Sequence, residues 1–256
     1  MSTFETFSQL HQQTEPFLLG NIWDVNSAHI FEAAGYKAIG TSSHALATAF
    51  GYDDGENLPF DTLLRVAKRV VATVKVPFTV DMEGGYSDTA EGIIEHIKML
   101  HEAGVAGINL EDTRAKPSRR FRPVDEFKQL LTEIADGLEQ KNIKMFLNVR
   151  TDAFLLGLPN ALDETISRIN IYENTGIHGI FVPGVARAED INTITRETIL
   201  PVNVMCVPAL PDFNSLKSLN VKRISMGPFL FNKISAQTGT LAKNIIEAQN
   251  FAPLFS

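Results

Sequence analysis

Short apolar runs alternate with longer amphipathic segments along the whole chain. The apolar runs are rich in β-branched residues and are bounded by Gly or Pro, which is typical of strands buried in a parallel sheet. The amphipathic segments repeat apolar residues on one helix face, as Ile93, Ile97 and Leu100 do. The strands predicted in this way span residues 17–22, 37–40, 74–80, 106–110, 144–149, 179–182, 201–205 and 221–226.

A helix is predicted after each strand, and a short polar helix precedes the first. The predicted helices span residues 3–13, 28–34, 60–73, 89–103, 124–140, 162–175, 189–196 and 212–219, with a C-terminal helix last. Eight strand-then-helix units without a break in composition favour a closed (β/α)8 TIM barrel, with residues 1–256 as a single domain. A doubly wound open sheet is the alternative, but no G-x-G-x-x-G follows the first strand to support its nucleotide-binding form.

Composition narrows the classes of function. The chain has 256 residues, is 44% hydrophobic and carries a net charge of −7, which argues against a general nucleic-acid or anionic-membrane surface. Cys206 is the only cysteine, so no internal disulfide forms. The N-terminus lacks a basic and then apolar leader, and no run reaches the roughly 18 apolar residues of a membrane span. We expect a cytoplasmic protein without nucleic-acid or membrane partners.

Two carboxylates, Asp81 and Glu83, follow the third predicted strand where it runs into Gly84 and Gly85. Residues i and i+2 of a strand face the same way, so the two acids would point together at one hard cation if the extended geometry persists. The alternative is that Asp81 caps the helix that begins near residue 87 and that Glu83 is merely solvated.

Other polar residues also follow predicted strands. They are Thr41, Ser42, Ser43, Glu111, Asp112, Arg150, Asp152 and Asn203. Because active sites of such barrels gather at the C-terminal strand ends, acids from neighbouring strands facing an Arg predict a divalent-metal site for an anionic, oxygen-rich substrate. Structural alternatives remain: Glu111 and Asp112 pair with Arg150, Asp152 caps a helix, and Asn203 satisfies backbone groups.

The motifs at these positions resemble those of the isocitrate lyase and phosphoenolpyruvate mutase superfamily, from about Leu18 to Gly227. The segments that carry the resemblance are Thr41-Ser42-Ser43, Gly51-Tyr52-Asp53-Asp54, Asp81-Met82-Glu83-Gly84-Gly85-Tyr86, Leu110-Glu111-Asp112, Val149-Arg150-Thr151-Asp152-Ala153 and Pro201-Val202-Asn203-Val204-Met205. The resemblance implies a Mg²⁺-dependent barrel enzyme that breaks or forms C–C or P–C bonds next to 2-oxo carboxylates. It also implies a homo-oligomer, a tetramer or dimer, with a swapped C-terminal helix.

Site roles carried over from the resemblance fall into three groups. The metal-binding acids, for Mg²⁺ or Mn²⁺, are Asp54, Asp81, Glu83 and Glu111, with Asp54 preferred over Asp53 because of its spacing from Gly51. The substrate-binding residues are Thr41, Ser42, Ser43, Arg150 and Asn203. The residues with a catalytic role are Arg150 and Glu111.

The loop after the fourth strand departs from the resemblance. The lyases of isocitrate and methylisocitrate carry Lys-Lys/Arg-Cys-Gly-His there, whereas this chain has a basic segment without Cys or His: Arg114, Ala115, Lys116, Pro117, Ser118, Arg119, Arg120, Phe121 and Arg122. The catalytic acid of those lyases is therefore missing, the Lys-Arg-Asn segment of the phosphonate mutases is not evident, and Cys206 is interpreted as a packing residue. The basic loop is predicted to be a lid over an anionic substrate. Its alternative is a solvated face, and His44 is the one histidine near a predicted strand end.

These observations predict a Mg²⁺-dependent C–C lyase or decarboxylase that acts on a small 2-oxo or 2-hydroxy dicarboxylate through an enolate. Decarboxylation needs no protein base to begin, so it tolerates the missing Cys. Phosphonopyruvate chemistry at a P–C bond, by a mutase or a hydrolase, is the second interpretation. A metabolite-binding barrel without turnover is the third.

Overall fold

Eight parallel strands close into a barrel in the computed structural model, which describes residues 2–115 and 118–255. The closed order is β1-β10-β9-β8-β7-β4-β3-β2, so each barrel strand is hydrogen-bonded to its neighbours along the chain. The barrel strands are β1 (Phe17–Ile22), β2 (Ala38–Thr41), β3 (Phe78–Asp81), β4 (Gly107–Glu111), β7 (Phe146–Arg150), β8 (Gly179–Val182), β9 (Val202–Met205) and β10 (Arg223–Ser225). The predicted (β/α)8 barrel is confirmed.

Helices cover the outside of the barrel and begin at side chains that suit helix starts. Asp24 accepts a hydrogen bond from the Ser27 backbone N–H at 2.6 Å, and Thr89 accepts one from that of Gly92 at 3.2 Å. The helices of the described residues are α1 (Thr3–Leu10), α2 (Val25–Ala33), α3 (Ser43–Ala49), α4 (Phe60–Val71), α5 (Ala90–Glu102), α6 (Val124–Gln140), α7 (Ala161–Tyr172), α8 (Ala188–Arg196), α9 (Phe213–Ser218), α10 (Phe229–Ala248) and a final 3-10 turn (Ala252–Leu254).

Two elements differ from the sequence prediction, and both lie at the C-terminal end of the barrel. Helix α3 lies between the strand predicted over residues 37–40 and the helix predicted over residues 60–73, where no helix was predicted, and Ser42 caps it by accepting a hydrogen bond from the Ala45 N–H. The basic loop contains an antiparallel pair, β5 (Thr113–Arg114) and β6 (Arg120–Phe121). Lys116 and Pro117, which belong to the predicted lid, lie outside the described residues.

Helix α1 covers the N-terminal end of the barrel with an aromatic cluster. Phe7 of α1 is buried and packs edge-on against Phe17 and Phe146, the first residues of β1 and β7. A larger apolar core lies between the strands and the outer helices. Ligand access is therefore expected at the opposite, C-terminal end, where strand ends and loops carry polar side chains.

None of the residues of helix α10 is buried against the rest of the chain that the structure describes. Its apolar side chains Phe229, Ile234 and Ile246 are exposed, and so are Phe251 and Phe255 beyond its end. Such exposure agrees with the expectation that the C-terminal helix packs elsewhere, which stays a prediction. Neither α10 nor any other helix in the described ranges is long and apolar enough to cross a membrane.

Candidate active site

A cavity of about 280 Å³ opens at the C-terminal end of the barrel. Six of the predicted site residues line it: Thr41, Ser42, Ser43, Asp54, Asp81 and Arg150. Three do not line it: Glu83, Glu111 and Asn203. The remaining lining contains both polar and apolar residues, which include Asn21, His44, Asn109, Arg119, Leu155, Phe181 and Phe229. This volume suits a small metabolite.

Asp81, the last residue of β3, is tied to the loop after β2. The Ser43 hydroxyl donates a hydrogen bond to Asp81 Oδ2 at 2.9 Å, and the Asp81 backbone N–H donates one to Thr41 Oγ1 at 2.8 Å. Thr89, and not Asp81, caps the next helix, so the capping alternative is wrong. Burial raises the pKa of Asp81 although Arg150 opposes the shift, and a cation beside this carboxylate would stabilise its ionised form.

Glu83 is held by a turn and not by an extended strand. Strand β3 ends at Asp81, and Glu83 is left-handed, with φ 49°, so the expected strand geometry is wrong here. The Glu56 backbone N–H donates to both carboxylate oxygens of Glu83 at 3.0 Å, and the Tyr86 hydroxyl donates to one of them. Glu56 and Tyr86 are left-handed as well, and such conformations, which cost about 1–3 kcal/mol each, cluster at active sites and ligand-binding turns. Gly85 completes the turn, because a Cβ there would lie 2.7 Å from Ile93.

The Glu83 carboxyl is buried among other acids. Burial and, after it, the charges of Asp54, Asp81 and Glu111 together raise its pKa to about 8. In the metal-free protein these surroundings therefore favour the protonated carboxyl group over the ionised one. A divalent cation nearby would reverse this preference, since it favours the ionised carboxylate.

Arg150, the last residue of β7, is fixed by two acids from neighbouring positions. Its Nε and Nη2 donate to the two oxygens of Asp152 at 2.6 and 2.9 Å, and its Nη1 lies 2.9 Å from Glu111 Oε2. Burial acts to lower the pKa of Arg150, but Glu111 and Asp152 outweigh it and raise the pKa. Arg150 thus presents a permanent positive charge at the cavity wall. Asp152 is an ion-pair partner and not a helix cap.

The basic loop places one of its described arginines at this site. Arg119 Nη1 donates to Glu111 Oε1 at 2.6 Å and to Asp152 Oδ2 at 2.9 Å, beside Arg150. Arg114 turns outward to pair with two surface acids, and Arg122 is buried with its Nη2 donating to the Gly84 carbonyl at 3.1 Å. Arg120 is exposed in β6. Of the described basic residues of the loop, Arg119 lines the cavity and Arg114, Arg120 and Arg122 do not, while closure of the loop as a lid over an anionic substrate stays a prediction.

Two other strand-end residues make contacts within the barrel and its helices. Asp112 pairs with Arg168 at 3.3 Å and accepts a hydrogen bond from Tyr172, both of α7, so its suggested pairing with Arg150 is wrong. Asn203 lies deeper in the barrel, where its Nδ2 donates to the Val204 carbonyl at 2.7 Å. Its substrate-binding role stays a prediction that the geometry does not favour.

His44 and Asp54 meet at the rim of the cavity. His44 Nδ1 lies 3.9 Å from Asp54 Oδ2, and both side chains are partly exposed. Asp54 is close enough to raise the pKa values of Asp81 and Glu83. Cys206 does not line the cavity, and its thiol donates to the Met226 carbonyl, as expected of a packing residue.

The donor set fits a hard divalent cation. Around the cavity the described residues hold five carboxylates against two guanidinium groups: Asp54, Asp81, Glu83, Glu111 and Asp152 against Arg119 and Arg150. When all are ionised, the excess is three negative charges, most of which one divalent cation would offset. In the described ranges no three acidic, His or Cys side chains form a ready-made metal cluster. Mg²⁺ is usually held by only one or two carboxylates with waters and substrate oxygens, so the arrangement suits Mg²⁺.

Asn21 and Phe229 are residues of this site that sequence reasoning missed. Asn21 Oδ1 accepts hydrogen bonds from the backbone N–H groups of Met226 and Gly227, at 2.6 and 3.2 Å, and so fixes the loop after β10. The polar Asn near the end of an apolar strand was the available signal. Phe229 reaches the cavity through the start of α10, which no pattern in the sequence indicates.

Comparison with known proteins agrees with this geometry. A family model described as phosphoenolpyruvate phosphomutase matches residues 7–246. An uncharacterized protein of Mycobacterium tuberculosis, MT2054, is 33% identical over 222 residues, which cover 87% of this chain and 81% of that protein. An oxaloacetate decarboxylase of Bradyrhizobium sp. (strain ORS 278) is 27% identical over 213 residues, which cover 79% of this chain and 71% of the decarboxylase.

Solved structures show the same relationship. A crystal structure from Burkholderia cenocepacia J2315, provisionally named a phosphonomutase, has a TM-score of 0.88 at 34% identity and covers 94% of this chain and 99% of its own. A phosphonopyruvate hydrolase in complex with oxalate and Mg²⁺ has a TM-score of 0.85, covering 98% of this chain and 89% of its own, and at 18% identity it shows the fold alone. Since the family model spans most of the chain, the protein belongs to the phosphoenolpyruvate phosphomutase family.

Proposed function

We propose that the protein is a Mg²⁺-dependent lyase that decarboxylates a small 2-oxo dicarboxylate of the oxaloacetate type. The observation that carries the proposal is the fixed Arg150 guanidinium at the wall of a small cavity that Thr41, Ser43 and Asp81 also line. Relatives named oxaloacetate decarboxylase at 24–28% identity support the same reaction class.

The 2-oxo acid end of the substrate would lie between the β2 loop and β7. Ser42 and Ser43 at the start of α3 offer hydroxyl groups for the C1 carboxylate, and Arg150 faces the C2 oxygen. Asp81 is the acid that reaches the cavity, so it would hold the cation directly. Glu83 and Glu111 lie behind the wall, where they would add negative charge and accept hydrogen bonds from the waters of the ion. Mn²⁺ is expected to substitute for Mg²⁺.

The reaction breaks the bond between C3 and C4. Carbon dioxide leaves, the bonding electrons move to the C2 oxygen, and the resulting enolate takes a proton from water at C3 to give pyruvate. Arg150 stabilises the negative charge that develops on the C2 oxygen, and because its guanidinium is already fixed by Glu111 and Asp152, little reorganisation is needed. The bound metal ion supplies Lewis-acid stabilisation of the same charge. No step requires the loop Cys that the isocitrate-type lyases use.

The test is pyruvate formation from oxaloacetate by purified protein with Mg²⁺. Because Mg²⁺ alone promotes this decarboxylation, the rate is corrected with a reaction that contains the ion but no protein. We expect protein-dependent turnover that EDTA removes and that Mg²⁺ or Mn²⁺ restores. If no 2-oxo dicarboxylate in a panel yields pyruvate above the ion-only rate, the proposal is wrong.

Cleavage at a P–C bond is the second candidate. It is favoured by the 34% identity to the structure provisionally named a phosphonomutase. Phosphonopyruvate incubated with protein and Mg²⁺ would then release phosphate or form phosphoenolpyruvate, which ³¹P spectroscopy distinguishes. Ligand-induced thermal stabilisation without any product would indicate a barrel that binds metabolites without turnover.

Self-association through α10 is part of the proposed assembly. The helix presents an apolar stripe at helical spacing, with Ile234, Leu241 and Ile245 on one side, and none of these side chains is buried in the described chain. Exposed apolar surface of this kind marks association sites in soluble proteins. A second copy of the chain is the proposed partner, in a dimer or tetramer.

Ending the chain at Asn232 is expected to reduce the oligomer to a monomer, because it removes this stripe. The truncation keeps Phe229 at the cavity and Phe231, which packs edge-on against Trp23. Light scattering coupled to size exclusion gives the mass directly. Ile234→Glu, a single charged change on the stripe, is also expected to weaken association, and Ile199→Glu, at an exposed apolar position outside α10, is its matched control. A full-length chain that is already monomeric at micromolar concentration would contradict the assembly.

A further inference from the structure

Arg119 is positioned to contact a ligand in the cavity. Its side chain lines the cavity, while Glu111 and Asp152, to which it donates, are almost fully buried. Burial acts to lower the pKa of Arg119, but Glu111 and Asp152 outweigh it, so its guanidinium stays charged. A permanent cation thus reaches the cavity from the loop, in addition to Arg150.

The two acids beneath Arg119 are already held by Arg150. In the metal-free protein these four groups form a balanced set of two cations and two anions. A divalent cation at the neighbouring Asp81 would add positive charge next to this set. An anion beside Arg119 is then favoured, because the attraction between charges is strong where water is partly excluded.

The Arg119 guanidinium has further N–H groups that could bind such an anion. Within the described residues all hydrogen bonds of Arg119 come from Nη1. A guanidinium has further N–H groups on Nε and Nη2, in a fork that matches a carboxylate. We propose that Arg119 binds the second carboxylate of the substrate, remote from the 2-oxo group, and so selects dicarboxylates over monocarboxylates. This inference rests on the proposed function, which assigns the 2-oxo acid end to Ser42, Ser43 and Arg150.

The chemistry fixes which kinetic constant changes. The second carboxylate loses its charge as carbon dioxide leaves, so its ion pair with Arg119 is strongest with bound substrate and weaker in the transition state. An interaction of this kind lowers KM without raising kcat. Arg119→Gln is therefore expected to raise KM for oxaloacetate by about tenfold or more, the factor expected from a charge-assisted hydrogen bond, without lowering kcat.

Binding of two inert ligands tests the same point without turnover. Malate and lactate are 2-hydroxy acids that differ at the remote end, where malate carries the second carboxylate. Calorimetric titration of the Mg²⁺-loaded full chain gives the ratio of their dissociation constants. Arg119→Gln is expected to reduce the preference for malate by about tenfold or more. Arg120→Gln, an exposed change of the same charge in the same loop, is expected to leave it unchanged.

The outcomes separate the two proposals. An unchanged malate preference in Arg119→Gln, or a lower kcat at constant KM, overturns the role of Arg119. If the natural chain does not decarboxylate oxaloacetate but loses its malate preference in Arg119→Gln, the reaction is wrong and the carboxylate site stands. Thermal unfolding checks that the variant folds. Arg119→Lys is the second variant: it keeps the charge without the fork, and a preference equal to that of the natural chain would exclude carboxylate recognition by the guanidinium.

Discussion

Asp81→Asn is expected to lower Mg²⁺-dependent turnover by more than about 100-fold. Loss of an outer partner of a metal typically costs about 10–100-fold, and Asp81 is placed to bind the ion directly. The amide keeps the shape of the side chain and a hydrogen-bond acceptor for Ser43. It removes one negative charge from a site that would hold a hard cation. The fold is therefore expected to persist while metal binding fails.

Glu83→Gln separates metal binding from stability. Turnover is expected to fall by about 10–100-fold, since Glu83 lies behind the cavity wall and would act through the waters of the ion. The metal-free variant is expected to be at least as stable as the natural chain at neutral pH. An acid whose folded pKa, about 8, lies above its unfolded value of 4.5 makes the fold less stable as pH rises between those values, and Gln removes this effect.

Thermal unfolding with and without Mg²⁺ measures both effects. At an ion concentration 100 times the dissociation constant, the natural chain gains about 2.7 kcal/mol, and Asp81→Asn should gain little. Asp53→Asn, an exposed change one residue from Asp54, is the control. If both site variants keep the natural response to Mg²⁺ and the natural rate, the metal site lies elsewhere.

Sequence patterns were sufficient to predict the barrel and to identify the residues at its strand ends. Parallel strands bring their C-terminal ends to one edge, so Asp81 and Arg150 were expected to meet from their positions alone, and both line the cavity. This step needed only the boundaries of the strands. It did not depend on any side-chain partner.

The remaining contacts depend on partners that are distant in sequence. Glu83 is oriented by the backbone of Glu56, from a loop whose turn no periodicity predicts. Asp112 and Glu111 are adjacent, but Arg168 on α7 holds one and Arg119 and Arg150 hold the other. The charges in the sequence alone did not indicate which of these two acids pairs with which arginine. The same limit applies to the basic loop, since its arginines are chemically alike. Only tertiary packing determines that Arg119 is the one at the cavity.

His11→Phe is expected to reduce the loss of stability in acid. His11 follows α1, which covers the N-terminal end of the barrel. Its side chain is 4% exposed and stacks on Phe146 with 4.1 Å between ring centres. Burial and, after it, the nearby charges of Arg223 and His178 lower the pKa of His11 from 6.5 to about 3, although the hydrogen bond to the Phe7 carbonyl opposes the shift. His11 and Lys222 both line a second cavity, at the N-terminal end of the barrel, so Lys222 adds a further positive charge nearby.

The sign of the effect follows from the two pKa values. Below pH 6.5 the unfolded chain binds a proton at His11 that the folded chain does not, so stability is complete above that pH and is lost as pH falls toward 3. The loss from this group reaches about 2 kcal/mol at pH 5. Phe retains the aromatic packing but forfeits the Nδ1 hydrogen bond to the Phe7 carbonyl, which costs about 1 kcal/mol at every pH. Urea unfolding at pH 5 and pH 8 should therefore show a smaller difference for His11→Phe than for the natural chain, whereas the exposed His29→Phe should keep the natural difference. If His11→Phe retains the full difference in stability between pH 5 and pH 8, His11 is not the group whose protonation destabilises the protein in acid.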